Sequence, residues 1–196
     1  MNNLSADMSH LLACNIDILN TARDMIQHLP ADKYNHVERP YFESCLGKHI
    51  RHILDHYLCF IRDVETGMID YEKRQRDTQT ETNQEYALGV INNICDFLKH
   101  AQRQHLEDGV LSVWLCNDVA LPEGEATRSS VRRELQFLHG HTVHHYALIA
   151  TMLRFYGIET DRTLGVAPST LIHEQDTQSE SACDSSEYPQ AAKISA

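Results

Sequence analysis

The stretch RRELQFLHGHTVHHYALIATMLRF, Arg132 to Phe155, limits the possible folds of this chain more than any other segment. Wound at about 100° per residue it is an amphipathic helix, and Val131, Leu135, Leu138, Tyr146, Ile149, Met152, Leu153 and Tyr156 fall on one apolar arc. An arc of that length has to be covered by other elements, so the helix is a wall of a core. His141 and His145, four residues apart, lie inside the arc, whereas His139 projects near Tyr146 and His144 sits at the polar edge. A single histidine on an apolar face is usually a hydrogen-bonded core residue. Two together are harder to bury without a shared charge or an ion, and imidazoles at i and i+4 can hold one metal. The zinc-protease form of this spacing carries Glu directly after the first His as general base; Thr142 occupies that place, which argues against a protease of that type.

The same periodicity predicts three earlier helices. The first runs from Asp7 to Leu29, with Leu12, Ile16, Leu19, Met25, Ile26 and Leu29 inward and Pro30 as its stop. The second runs from Glu43 to Glu65 with a stripe of Leu46, Ile50, Ile53, Tyr57, Phe60 and Val64, and Gly67 lies beyond its end. Along one border of that stripe stand His49, His52 and His56, spaced i, i+3, i+7, with Asp55 beside them. The bland account is a polar seam satisfied by water and Asp55; the chemical account is a ligand edge in which Asp55 orients a neighbouring imidazole. The third helix spans Asn83 to His105, with Tyr86, Val90, Ile91, Ile94, Phe97, Leu98 and Ala101 inward and His100 and His105 on the surface.

The connections are read from composition. MIDYEKRQRDTQTET is a polar link in which Lys73, Arg74 and Arg76 form a solvated loop. Val110 to Val119 is apolar and β-prone, is broken by Pro122 and Gly124, and is expected as an extended cover or a short hairpin. Ser129 or Ser130 caps the fourth helix and Gly157 ends it. From His173 the chain turns acidic and Ser-rich, so residues 1–172 are expected as one domain and 173–196 as a disordered tail. The expected fold is all-α, a four-helix bundle with a cover segment between helices three and four.

A formal charge of −11 with no extended basic patch argues against nucleic acid or an anionic membrane as partner. The opening residues lack a basic region followed by an apolar run, and no stretch of about 18 apolar residues occurs, so a cytoplasmic location is expected. Six cysteines are scattered without a C-x-x-C pair, as expected for reduced thiols.

Taken together, SCLGKHIRHILDHY, HGHTVHHYALIA and GVAPST resemble the DinB/YfiT-like superfamily of bacterial four-helix-bundle proteins, over about residues 5 to 170. In that family one histidine of the second helix and an H-x-x-x-H pair of the last helix bind a divalent metal, which implies His52, His141 and His145 here. Members of known activity are thiol-dependent transferases and isomerases, and a related module occurs in iron-dependent sulfoxide synthases. Those synthases carry an acidic residue just after the last-helix histidines; this chain has Tyr146 and Ala147 there. The resemblance thus implies an enzyme using Zn, Ni or Fe on a small-molecule substrate, by transfer of a low-molecular-weight thiol or by hydrolysis. Asp55 as orienter and His49, His56 or His144 as proton shuttle are the candidate supporting groups. The alternative is a non-catalytic metal-binding or structural bundle, assembled as a homodimer.

Overall fold

A computed structural model describes residues 2–115 and 126–184 of the chain. The order is α1 (Asn2–His28), a short α2 (Ala31–Tyr34), α3 (Leu46–Asp63), β1 (Met68–Asp70), a short α4 (Thr78–Thr82), α5 (Gln84–Arg103), β2 (Val110–Trp114), β3 (Thr127–Ser130), α6 (Val131–Phe155) and α7 (Pro168–Asp184). The described residues are mostly helical, with one small sheet. Of the long helices, α1 packs against α5 and α6, and α3 also packs against α5 and α6.

The helical spacing read in the sequence accounts for this packing. Leu12, Leu19 and Ile26 of α1, Ile50, Ile53 and Phe60 of α3, Ile91 and Leu98 of α5, and Leu135 and Ile149 of α6 join one buried cluster. Each such side chain contributes roughly 1.5–3 kcal/mol when fully buried. One position departs from the expected stripe: Tyr86 is 39% exposed and Ala87 is buried in its place. Asn83 caps α5 by accepting from the Tyr86 backbone N–H, which fixes that first turn at the surface. Ser130, one of the two expected caps, accepts from the Arg133 N–H at the start of α6.

Polar groups staple the core. The Tyr57 hydroxyl donates to Asn15 Oδ1 at 2.7 Å, while Asn15 Nδ2 donates to Leu11 O at 2.9 Å and Leu135 O at 3.2 Å, tying α1, α3 and α6 together. Thr142 is fully buried and donates back to Leu138 O at 2.7 Å. Glycine at position 47 lets α4 approach α3, because a Cβ there would lie 2.0 Å from Glu81 O.

The sheet has the order β1-β2-β3, with β1 parallel to β2 through Ile69↔Val113 and β2 antiparallel to β3 through Leu111↔Ser129. The segment expected as a polar link therefore holds a strand and a short helix. Its inward residues, Ile69 and Tyr71, are buried between charged neighbours and are too few to give a periodicity. Part of the expected cover is strand β2, while the break at Pro122 and Gly124 lies outside the described residues.

Of the segment expected as a disordered tail, residues 173–184 continue α7, and 185–196 lie outside the described residues. Pro168 is preset for the first helical position, and the Glu, Gln and Ala that follow favour helix over coil. Ile172 is 59% exposed, and residues 172–177 of this helix all lie at the surface. No helix among the described residues is long and apolar enough to cross a membrane.

Candidate metal centre

Helices α3 and α6 pack side by side, and their histidine edges meet. His52, His141 and His145 each offer a ring nitrogen, and these atoms all lie within 4.8 Å of one another. The ring centroids are 5.0 Å apart for His52 and His141, 4.7 Å for His52 and His145, and 4.6 Å for His141 and His145. His141 Nε2 is buried and has no hydrogen-bond partner among the described residues. Buried imidazole nitrogens are normally satisfied, so a partnerless one on a ring grouped with two other imidazoles fits a metal ligand. A three-imidazole donor set suits divalent transition metals, and the cluster could hold a metal ion.

The electrostatics suit neutral ligands. Burial, followed by the neighbouring imidazoles, holds His52 and His145 at about 3. Burial, then His56 and His144, brings His141 to about 4. All three are therefore unprotonated at neutral pH, the form that donates a lone pair.

The remaining histidines divide into different roles. His56 Nδ1 donates to His52 O at 2.7 Å, so Nε2 is the acceptor for Arg74 Nη1 at 3.1 Å. With both nitrogens engaged, His56 walls the cluster and is not available to an ion. His49 Nδ1 lies 3.1 Å from His145 Nδ1, and its Nε2 lies 2.8 Å from Ser44 Oγ, so it holds a member of the cluster from behind. His144 is exposed, with its ring 5.3 Å from that of His145.

Asp55 does not orient an imidazole through any hydrogen bond among the described residues. Its carboxylate accepts from Arg51 Nη1 at 3.0 Å, one helical turn away, and Arg51 Nε also reaches Glu81 at 2.9 Å. Burial pushes the Asp55 carboxyl up, against the pull of Arg51. The i, i+4 geometry on α3 gives this carboxylate to the arginine.

Three contributors were not visible in the sequence. Arg74, expected in a solvated loop, has a side chain only 15% exposed and points its guanidinium at His56. Phe137 stacks on His141 at 5.5 Å, and Tyr71 lies 5.4 Å from both His56 and Phe137. The signal for Phe137 was its i, i+4 relation to His141; β1 supplies Tyr71, and the loop beyond it supplies Arg74. The GVAPST segment has a structural role beside the cluster. Gly165 has φ +80°, and a Cβ on it would lie 2.3 Å from Ala147 N, so this loop packs directly on the α6 turn that carries His145.

In comparison with known proteins, the model of the DinB family matches residues 1–168. None of the curated proteins matches the chain.

Proposed function

Because the chain belongs to the DinB family and gathers His52, His141 and His145 at one point, we propose that it is a divalent-metal-dependent enzyme acting on a small molecule, by thiol transfer or hydrolysis. The observation that carries this reading is the grouping of His52, His141 and His145, with His141 Nε2 buried and without a hydrogen-bond partner among the described residues. His52, His141 and His145 would hold a divalent ion, which would supply Lewis acidity that lowers the pKa of a bound water or thiol.

The chain's own residues fit that role. His49 orients the His145 ring through the Nδ1–Nδ1 contact. Arg74, paired with Glu72 at 3.9 Å, donates to His56 Nε2 and so fixes the ring that walls the cluster. Tyr71 and Phe137 keep water from one side of the cluster. His144, exposed at the edge, is the candidate to exchange a proton with solvent. The test is metal analysis of untagged protein, followed by a screen of thiol cosubstrates with wild type and His141→Ala. Metal-free wild type that takes up neither Zn²⁺, Ni²⁺ nor Fe²⁺ would end this reading.

One observation favours a second reading, a metal-binding bundle without turnover. Asp55, the candidate orienter, and His56, a candidate proton shuttle, are held by Arg51 and Arg74. Stoichiometric metal with no turnover of any thiol or hydrolysable substrate would select it.

A further inference from the structure

A pocket of about 290 Å³ shares the wall made by Tyr71 and Phe137, the rings that pack against His56 and His141. Val113 and Leu115 add apolar surface to it, and the volume is near the roughly 300 Å³ at which small-molecule pockets begin. Glu134 is the acidic group in the lining. Its carboxylate is buried and accepts the hydroxyls of Tyr71 and Ser129, so its charge is already answered by two O–H donors.

The cationic groups in the lining are not answered in this way. Arg128 and Arg133 both line the pocket, and among the described residues neither has a carboxylate within ion-pair distance. Arg133 stands 5.9 Å from the centre of the Phe137 ring, so its charge lies over the apolar wall. In a chain of net charge −11, two such guanidiniums over one apolar hollow form a locally cationic spot.

We propose that this pocket binds a small amphipathic carboxylate, its apolar body against Tyr71, Phe137, Val113 and Leu115 and its carboxylate between Arg128 and Arg133. Arginine is suited to that role because its fork of donors matches the two carboxylate oxygens. The occupant lies next to the three-histidine group. Its assignment as the non-reacting end of a substrate rests on the proposed metal chemistry, whereas the binding itself does not.

The test titrates 3-phenylpropionate into the full chain, with 3-phenylpropionamide and phenethylamine as neutral and cationic counterparts. Calorimetry gives the affinity, and the single tryptophan, Trp114, flanked by pocket residues Val113 and Leu115, gives an optical signal. The carboxylate should bind saturably and the amine should not. Arg128→Gln and Arg133→Gln, both at exposed positions, should weaken binding by roughly ten-fold or more while leaving the circular dichroism and the Zn²⁺-dependent thermal shift unchanged. His141→Ala should do the reverse, losing the zinc shift and keeping the carboxylate. Equal binding of the amide, no binding of the carboxylate, or unchanged affinity in both arginine variants overturns the proposal. Carboxylate binding in a protein without any zinc shift would uphold the pocket and remove the metal reading instead.

Discussion

His49 and His145 face each other across α3 and α6 with their Nδ1 atoms 3.1 Å apart. A hydrogen bond between two imidazole nitrogens requires one to carry the proton and the other to be bare, so the tautomers of the two rings are linked. When His145 donates from Nδ1, its Nε2 keeps the lone pair an ion needs, and His49 donates from Nε2 to Ser44 Oγ at 2.8 Å. In the opposite arrangement His145 would carry its proton on the nitrogen required for ligation. A bound ion therefore selects the first tautomer.

His49→Ala should accordingly weaken zinc binding by about 10–100-fold without abolishing it, as losses of residues that orient metal ligands do. Competition against a chelating indicator measures this directly. An unchanged affinity would show that the pair is a packing contact with no hold on the ligand.

His52→Ala, His141→Ala and His145→Ala should each remove the zinc-dependent gain in melting temperature. A ligand that binds only the native state stabilises it by about 2.7 kcal/mol at a hundred times its Kd, a gain a thermal melt resolves easily. His56→Ala should retain the gain, because Arg74 and the His52 carbonyl already occupy both nitrogens of that ring. His100→Ala, on the exposed side of α5, serves as control. If His56→Ala lost the zinc response as fully as His141→Ala, His56 would have to be counted among the ligands.

What was legible in the sequence was whatever repeats with the helix. The stripe from Leu46 to Phe60, the i, i+3, i+7 edge of His49, His52 and His56, and the His141–His145 pair all follow from one period, and their convergence needs only that α3 and α6 pack together. Features lacking a period were not legible. Thr142 interrupts the apolar arc, yet it is buried because its hydroxyl is satisfied by Leu138 O within the same helix. Tyr71 and Arg74 sit among charged residues in a segment whose direction is set by one parallel strand pairing, a contact between residues more than forty positions apart. Asp55 stands next to His56 in sequence order, but the helical turn pairs it with Arg51.

The Asn15 staple should be among the costliest polar groups to remove. Asn15→Ala leaves the buried Tyr57 hydroxyl without its acceptor, a loss of about 1–3 kcal/mol in urea unfolding. Adding Tyr57→Phe to that variant should cost much less than it does in wild type, since the stranded donor is then gone. Additive effects of the two substitutions would mean that the hydrogen bond contributes little.

The last expectation concerns pH. Burial and mutual repulsion hold His52 and His145 at about 3 and His141 at about 4, below the value of roughly 6.5 that a histidine has in the unfolded chain. Between those limits the unfolded chain binds more protons than the folded one, so stability rises with pH. The contribution is fully present above about 6.5 and is lost as the pH falls through that value towards 4 and then 3. Without metal, the urea midpoint should therefore drop steadily from pH 7 to pH 5. His52→Leu, which removes one of the three imidazoles, should show a shallower fall over the same range. With zinc the slope should steepen, because the ion binds only unprotonated rings and its stabilisation fades as protons compete for them. Urea midpoints measured from pH 8 to pH 5, with and without zinc, decide the matter; a flat metal-free profile would show that the three imidazoles titrate in the folded protein as they do in the unfolded chain.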